Sequence, residues 1–343
     1  MKSSFLAFVV LAVSGYAEAS TYSRTASLSG QSFLNAFSWQ SIADPTHGRV
    51  NYLSQSAAQS AGLYSVSGNT VTLRADHTTV LSPSGPGRNS FRIMSNNQYS
   101  THVAIFDIGH MPEGCGTWPA VCKLPGEIDI VEGVNNKVPN QSTLHTSASK
   151  CSSDKSSHFL SPGRLRHATI STDDWVCSSH CSQTTCELYI FIRFRTSVGN
   201  DCDVYTSGNA GCGVHLADGN SFGPNFNNVG GGWYAIERSS THIAIWFWER
   251  GSSSIPSQVK YPGGTVDTST WGTPAAFFPN TNCDFSSHLG PMNIIINLTF
   301  CGDWAGAVYS SDGCPSSCVD YVNNNPSAFA NAYFEFNALN IYQ

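Results

Sequence analysis

The sequence predicts an all-β protein, built as a sandwich or a barrel, and three observations support this. Short runs rich in β-branched and aromatic residues recur along the chain, and turns rich in Gly, Ser, Asn and Pro separate them. No segment has the sustained hydrophobic period of a long helix. All-β domains routinely run to about 200–250 residues, and no linker or repeat interrupts residues 20–343. We therefore expect that stretch to form a single domain.

The first 19 residues have the pattern of a secretory signal peptide. Lys2 supplies a positive charge, Phe5 to Val13 are apolar, and Ala17-Glu-Ala19 is a small-x-small cleavage site. The apolar run is too short to cross a bilayer, and no later segment reaches about 18 uninterrupted apolar residues. Residues 334–343 lack the long apolar tail of a lipid-anchor signal. The expected protein is soluble, secreted and extracellular, or associated with a cell wall.

Strands are predicted where β-branched and aromatic residues cluster between turn residues. The clearest are Thr70–Arg74, His102–Ile108, Glu187–Arg193, His242–Trp248 and Asn293–Phe300. The stretch from Ser147 to Asn228 is instead dense in Cys, Ser and Asn. It predicts long loops held by disulfides.

Cysteine usage supports export. All 12 cysteines follow the predicted signal peptide, and in an oxidising compartment this even number indicates up to six disulfides. Two closely spaced pairs are candidates, Cys115 with Cys122 and Cys314 with Cys318. Spacing alone leaves the connectivity open, because bridging depends on the separation of the Cα atoms.

A metal or cofactor is not expected. Cys177, Cys181 and Cys186 flank His180, but their spacing matches no zinc motif, and disulfides are the better interpretation. Related sandwiches sometimes bind calcium, but the chain has no Asp-rich loop that would locate a calcium site.

Charge and aromatic content indicate the class of ligand. Charged residues are only 12% of the chain and the net charge is −6, which argues against nucleic acid and anionic membranes as partners. Aromatic residues are another 12%, including 8 Trp, and these either stack on sugar rings or fill a sandwich core. We expect a monomer that binds an uncharged ligand.

The most informative segment is Gly126–Gly133, which carries three carboxylates in an apolar, β-branched run. In a regular strand Glu127 and Asp129 share a face and Glu132 points away. One extra residue between Asp129 and Glu132, a β-bulge, would return Glu132 to that face. Two glutamates on one face form the carboxylate pair of a glycosidase. The alternative, a solvated acidic edge, does not explain the intervening Ile and Val residues.

This strand and seven further segments resemble glycoside hydrolase family 16, in its fungal endo-1,3(4)-β-glucanase (laminarinase) branch. The resemblance extends from about residue 30 to the C-terminus. The further segments are Asp44-Pro-Thr-His-Gly-Arg-Val-Asn51, Gly85-Pro-Gly-Arg-Asn-Ser90, Gly114-Cys-Gly-Thr-Trp-Pro-Ala120, Thr143-Leu-His-Thr146, His242-Ile-Ala-Ile-Trp-Phe-Trp-Glu-Arg250, Cys283-Asp-Phe-Ser-Ser-His-Leu-Gly-Pro291 and Asn293-Ile-Ile-Ile-Asn-Leu-Thr-Phe-Cys-Gly-Asp-Trp-Ala-Gly306.

The resemblance implies a concanavalin A-like β-jelly-roll sandwich with a substrate groove across its concave sheet. It also implies a retaining mechanism, with Glu127 as nucleophile, Glu132 as acid/base and Asp129 hydrogen-bonded to the nucleophile. Retention requires the two carboxyl groups to lie about 5–5.5 Å apart. Repulsion between them would raise the pKa of Glu132 and leave Glu127 charged.

The same resemblance implies substrate-binding residues. Trp118 matches a groove tryptophan, His145 a histidine close to the acid/base, and Arg88 an arginine that could reach sugar hydroxyls. Their alternatives are a core tryptophan, a structural histidine and a solvated arginine. Trp246 and Trp248 share one strand face, which is either groove or core.

One segment departs from the family pattern. The stretch Val121–Gly126 is shorter than in the family and lacks a second groove tryptophan. Linkage preference and affinity are therefore open. Of two Asn-x-Ser/Thr sequons, Asn140 lies in a polar turn and is a plausible glycosylation site, whereas Asn297 falls in a predicted buried strand and is not expected to be modified.

The function implied is endo-hydrolysis of β-1,3-glucans such as laminarin, or of mixed β-1,3/1,4-glucans. A cell-wall transglycosylase could use the same carboxylates. A non-catalytic, lectin-like glucan-binding protein would be expected to lack one of them, yet all three are present.

Overall fold

The computed structural model describes residues 21–124, 126–147, 196–280 and 283–343. The predicted signal peptide, the predicted strand Glu187–Arg193 and the cluster around His180 lie outside these ranges. Within the ranges, no helix has both the length and the apolar character needed to cross a membrane.

Strands dominate the described residues, and the helices between them are short. The strands are β1 Thr21–Leu28, β2 Phe37–Trp39, β3 Val50–Tyr52, β4 Tyr64–Ser67, β5 Thr70–Arg74, β6 Arg88–Ser90, β7 Arg92–Ser95, β8 His102–His110, β9 Thr117–Leu124, β10 Glu127–Glu132, β11 Gln141–His145, β12 Thr196–Ser197, β13 Cys212–His215, β14 Gly232–Arg238, β15 His242–Glu249, β16 Thr265–Asp267, β17 Ala276–Pro279, β18 Asn293–Phe300 and β19 Tyr333–Tyr342. The α-helices are α1 Gly30–Asn35, α2 Gln55–Ser60, α3 Gly223–Asn228, α4 Ser257–Lys260, α5 Phe285–His288 and α6 Cys318–Asn324.

The predicted strands inside the described ranges are confirmed. Thr70–Arg74 forms β5, and the predictions at His102, His242 and Asn293 correspond to β8, β15 and β18. Residues of β5 alternate between buried and half-buried, the period of a strand with one face on the core. The longest α-helix in these ranges, α6, has seven residues, in agreement with the missing helical period.

Two antiparallel sheets pack face to face as a jelly-roll sandwich. In the described residues one sheet has nine strands, with β16-β1-β19-β8-β14-β15-β17 as its main order and β5 and β4 attached to β19. The other has eight, in the order β12-β13-β11-β10-β9-β18-β7-β2. The main apolar core lies between them and includes Phe106 and Ile236 from the first sheet and Ile128 and Ile296 from the second. This arrangement leaves the opposite face of the eight-stranded sheet for polar side chains.

The outer face of the nine-stranded sheet is also covered. A second apolar cluster contains Trp233, Trp246 and Trp248 on the strands, packed against Val259 and Trp271 from the segment after β15. The central strands of this sheet, β14 and β15, are therefore buried on both faces.

Both candidate disulfides are wrong. Cys115 pairs with Cys314, 199 residues along the chain, and Cys318 pairs with Cys301. Cys122 is a buried free thiol, so six disulfides cannot form. The pairing depends on loops that return to the start of β9 from far along the sequence, a proximity that spacing does not encode.

A further disulfide, Cys202–Cys212, lies in the stretch from Ser147 to Asn228 that was predicted to contain disulfide-held loops. It closes the turn before β13, whose Cys212 is opposite Leu144 of β11. Residues 148–195 of that stretch lie outside the described residues.

Candidate active site

The three carboxylates lie on β10, which contains the predicted bulge. Asp129 pairs with Cys122 of β9, and the next paired residue of β9, Val121, pairs with Val131 instead of Ile130. The register therefore shifts at Ile130. Ile128, Ile130 and Val131 are in the apolar core. Glu127 and Glu132 are half-buried and are separated by five positions, an odd interval that would place them on opposite faces of a regular strand. The bulge corrects this and turns Glu132 away from the core.

The start of the strand is set by Gly126, which has φ +66°. A Cβ atom at this position would lie 2.7 Å from a methyl carbon of Leu289, closer than real Cβ contacts allow. Glycine is therefore required on conformational and steric grounds.

The surroundings of Glu132 favour its protonated form. The indole Nε1 of Trp118 donates a hydrogen bond to its Oε1 at 2.9 Å. Burial raises the pKa of Glu132 well above its ordinary value, and the charges of Asp129 and Glu127 raise it further. The hydrogen bond from Trp118 opposes this shift, since it stabilises the carboxylate form.

Asp129 is almost fully buried, with 1% of its surface exposed. Burial and the charge of Glu127 raise its pKa well above the ordinary value. Nε2 of His145 lies 3.3 Å from its Oδ2, but the two atoms lack the alignment of a hydrogen bond, and within the described residues neither oxygen has a hydrogen-bond partner. His145 is itself opposite Glu127 across β10 and β11. The predicted hydrogen bond from Asp129 to the nucleophile is not present here.

Asn140 fixes the bulge from the neighbouring strand end. Its Oδ1 accepts a hydrogen bond from the backbone N–H of Glu132 at 2.9 Å, and its Nδ2 donates to the carbonyl of Ile130 at 3.0 Å. The residue is fully buried. Asn140 is therefore not a glycosylation site in this fold, although its sequon made one plausible, because a side chain enclosed in this way cannot carry a glycan. Its amide replaces the strand partner that the bulge removes.

A second tryptophan stands next to Trp118. Trp304 contacts it edge to face, with ring centres 5.7 Å apart. Trp304 belongs to the short segment Gly302–Gly306. This segment follows Cys301, which is bonded to Cys318, and precedes Cys314, which is bonded to Cys115 at the start of β9. Two disulfides thus anchor a half-buried indole beside the residue that donates to Glu132.

A family comparison agrees with this geometry. The model of the XgeA-like, catalytic GH16 domain matches residues 37–189 and 163–342. The chain belongs to glycoside hydrolase family 16.

Two fungal relatives of this family 16 chain cover 95% of its length. A probable glycosidase of Schizosaccharomyces pombe is 38% identical over 333 residues, which are 70% of that protein. A probable endo-1,3(4)-β-glucanase of Aspergillus niger is 40% identical over 344 residues, but these are only 41% of that protein.

Two solved family 16 structures are similar over 94% of the chain and 100% of their own length. Laminarinase 16A from Phanerochaete chrysosporium, described with 6-O-glucosyl-laminaritriose in donor and acceptor sites, has 48% identity and a TM-score of 0.82. An elongating β-1,3-glucosyltransferase of the family has 35% identity and a TM-score of 0.78.

Arg88 is not at the family 16 site. It is completely buried and donates hydrogen bonds to the carbonyls of Asp76, Thr79 and Val322. Oδ2 of Asp76 lies 3.4 Å from its guanidinium. The arginine ties loops together and cannot reach a sugar. The sequence suggested a surface turn because it does not show that Val322, 234 residues away, returns to accept a hydrogen bond from this side chain.

Trp246 and Trp248 are not at the site either. They lie on β15 in the other sheet, with 5% and 7% of their surfaces exposed, and both contact Trp271 edge to face. Their shared strand face is the one covered by the second apolar cluster. They are structural, the core alternative.

Sequence reasoning missed several polar neighbours. The residues in register with Glu132 on the successive neighbouring strands β9, β18 and β7 are Ala120, Asn297 and Arg92. Nη1 of Arg92 donates a hydrogen bond to Oδ1 of Asn297 at 3.4 Å. Their polarity within otherwise apolar strands was the signal available. Trp304 was inside a segment already matched to the family, but no pattern linked it to Trp118.

Proposed function

We propose that this chain is a retaining endo-hydrolase of β-1,3-glucans, with Glu127 as nucleophile and Glu132 as acid/base. The observation that carries the proposal is the bulged strand, where two half-buried glutamates stand on the same face and partial burial raises the pKa of one of them, Glu132. A general acid must hold its proton near the working pH, and burial provides this. Membership of glycoside hydrolase family 16 supports the same chemistry.

In the proposed reaction Glu127 attacks the anomeric carbon while Glu132 protonates the departing glycosidic oxygen. Glu132, now ionised, then takes a proton from water, which displaces Glu127 from the sugar with overall retention. Asp129 and His145 stand beside the proposed nucleophile. Trp118 and Trp304 offer aromatic surfaces for adjacent glucose units.

Laminarin is the substrate we propose first. The laminarinase from Phanerochaete chrysosporium, similar over 94% of this chain, is described with a branched laminaritriose in its donor and acceptor sites. The Aspergillus niger relative is named for both 1,3- and 1,4-containing glucans, so mixed-linkage glucans are the second substrate to test. We further propose one catalytic domain over residues 20–343, acting as a monomer outside the cell, where its disulfides are stable.

The decisive test compares reducing-sugar release from laminarin by the wild type and by Glu127→Gln. We expect strong release by the wild type and a loss of several orders of magnitude in the variant. Glu335→Gln, a carboxylate on β19 of the other sheet, is the matched control and should retain activity. Activity that survives in Glu127→Gln would remove Glu127 from the role of nucleophile. A folded but inactive wild type would overturn the hydrolase proposal and favour glucan binding alone.

Transglycosylation is the second candidate, because an elongating β-1,3-glucosyltransferase of the family is 35% identical. Both reactions share the glycosyl-enzyme and differ in whether water or a sugar resolves it. Product chromatography from laminarihexaose distinguishes them. Oligosaccharides longer than the substrate identify a transferase, and shorter ones alone identify a hydrolase.

A further inference from the structure

We propose that Cys122, Glu127 and Asp129 form an inhibitory binding site for a soft divalent cation such as Zn²⁺ or Cd²⁺. The binding part of this inference depends only on the geometry of the three side chains. The inhibition part rests on the proposed function, because the cation would occupy the proposed nucleophile.

Strand register brings the three residues together. Cys122 on β9 is the direct partner of Asp129 on β10, and Glu127 lies two positions before Asp129 on the same face. One ligand atom from each, the thiol sulfur and two carboxylate oxygens, can be chosen so that all lie within 4.8 Å of one another. A tetrahedral ion with bonds of about 2.0–2.3 Å needs separations of about 3.5 Å, so closure requires side-chain adjustments of roughly 1 Å.

Asp129 provides an independent indication of a ligand. Both its oxygens are buried, and among the described residues neither has a hydrogen-bond partner. Buried polar atoms are normally satisfied, and one of these oxygens belongs to the ligand trio. Glu127 is half-buried, so a cation can enter from the groove side.

The donor set selects the metal. A thiolate with two carboxylates suits Zn²⁺ or Cd²⁺, whereas Mg²⁺ and Ca²⁺ prefer oxygen ligands only. Cysteine binds metals as a thiolate, so binding forms the S–metal bond and releases to solvent the thiol proton and any proton held on the carboxylates. Three protein ligands leave the fourth position to water.

Occupation of the site would stop the proposed reaction at its first step. The carboxylate of Glu127 would be bonded to the metal and unable to attack the anomeric carbon. The ion would also fill space that the sugar ring needs next to Asp129. Inhibition should therefore be competitive with laminarin and reversed by EDTA.

The first experiment uses Co²⁺ as a spectroscopic probe of the full protein. We expect a thiolate-to-cobalt charge-transfer band in the near ultraviolet for the wild type, displaced by Zn²⁺ and unaffected by Mg²⁺. Cys122→Ser and Cys122→Ala should lack the band. A band of equal strength in both variants would place the thiolate elsewhere and overturn the proposal. No band in the wild type would do the same.

The second experiment measures inhibition of laminarin hydrolysis. Zn²⁺ should inhibit the wild type, and the inhibition constant should rise by roughly 10–100-fold or more in Cys122→Ser. Loss of a residue that only supports a metal ligand already lowers metal affinity by about 10–100-fold, so loss of a ligand should lower it at least as much. Equal inhibition constants would overturn the proposal. If the variants fail to fold, protection of Cys122 from iodoacetamide by Zn²⁺ in the wild type, read by peptide mass, replaces them. An inactive wild type with the cobalt band intact would refute the proposed function and leave the metal site standing.

Discussion

At the scale of the residue, the proton on Glu132 is set mainly by burial. The sequence predicts a raised pKa from repulsion between two carboxylates, and the structure adds the larger cause, loss of solvent, with Asp129 and Glu127 second and third. Desolvation depends on neighbours from other strands, which the motif alone does not specify. Trp118 opposes the shift through its hydrogen bond.

Trp118→Phe should therefore raise the pKa of Glu132 further. The indole N–H stabilises the ionised carboxylate, and its removal favours the protonated acid. A hydrogen bond to a charged group is worth about 1.5–3 kcal/mol, so the upward shift in the pKa of Glu132 should be large enough to measure. Because the acid must be protonated, the basic limb of the kcat profile should move to higher pH.

The measurement is kcat on laminarin from acid to alkaline pH. Trp39→Phe is a matched control, since Trp39 is also half-buried and its Nε1 has no hydrogen-bond partner within the described residues. Its profile should not move. A basic limb of Trp118→Phe that moves to lower pH would contradict the assignment of Glu132 as the acid.

Single residues also show where sequence reasoning fails. Glu127, Asp129 and Glu132 could be found because the motif itself is anomalous for a buried strand. Arg88 and Trp246 could not be placed, because arginine and tryptophan serve cores and grooves alike. Their partners, Val322 and Trp271 among them, lie far away along the chain.

At the scale of the element, β10 depends on Asn140 as much as on its own residues. The Asn140 amide bonds the two backbone groups on either side of Val131. The bulge itself was predictable from the odd interval between the glutamates. The support that Asn140 gives to the bulge was not predictable, because Asn140 begins a sequon and lies in a polar stretch of sequence.

Asn140→Ala should lower kcat on laminarin by about 10²-fold, since misplacement by about 1 Å has an effect of that size. It should also destabilise the fold by about 1–3 kcal/mol, because the N–H of Glu132 and the carbonyl of Ile130 lose their partner. An aryl β-laminarioside with a good leaving group needs little acid assistance, so its hydrolysis should fall less.

The comparison of the two substrates separates a positioning role from a loss of stability alone. Equal losses on laminarin and on the aryl glycoside would assign Asn140 a purely structural role. Asn96→Ala is the control, since exposed Asn96 donates to the carbonyl of Asn35 at 2.9 Å. It should leave the ratio of the two activities unchanged.

At the scale of the whole molecule, the sequence identified the sandwich and several of its strands, but not how distant parts meet. The two disulfides at the start of β9 and the cover over Trp246 and Trp248 are long-range contacts. Alternation along one strand cannot reveal them. A further example is Lys123 on β9, which is fully buried.

Lys123 carries a stability cost that depends on pH. Its Nζ has no hydrogen-bond partner in the described residues and lies 5.3 Å from the ring centre of Tyr99. Burial, with the charge of Arg238, lowers its pKa from 10.5 to about 7. Between these values the unfolded chain holds a proton that the native protein lacks, so this residue's contribution makes stability rise with pH from about 7 to 10.5.

Lys123→Met should stabilise the protein by a few kcal/mol below pH 7, with a gain in Tm of roughly 2–4 °C per kcal/mol. The gain should shrink as the pH rises from about 7 to 10.5, because the native protein already lacks the charge in this range and the unfolded chain loses its own only near 10.5. Thermal unfolding across this pH range measures it. Lys260→Met, at an exposed lysine, should show no such trend. A gain independent of pH would exclude the buried charge as its cause.

The bulge at Ile130 also makes the proposed active site sensitive to the number of residues and not only to their identity. Loss of one codon between Asp129 and Glu132 would leave an even interval of four positions between the two glutamates, so a strand without the bulge would keep both on one face. It would, however, lose the two backbone hydrogen bonds to Asn140 that support the bulge. Replacement of Val131 by Ile would keep the count, the face and these bonds. In a library of in-frame single-codon deletions, a deletion in this short stretch should thus cost more stability than a conservative substitution, through the lost bonds and not through burial of Glu132.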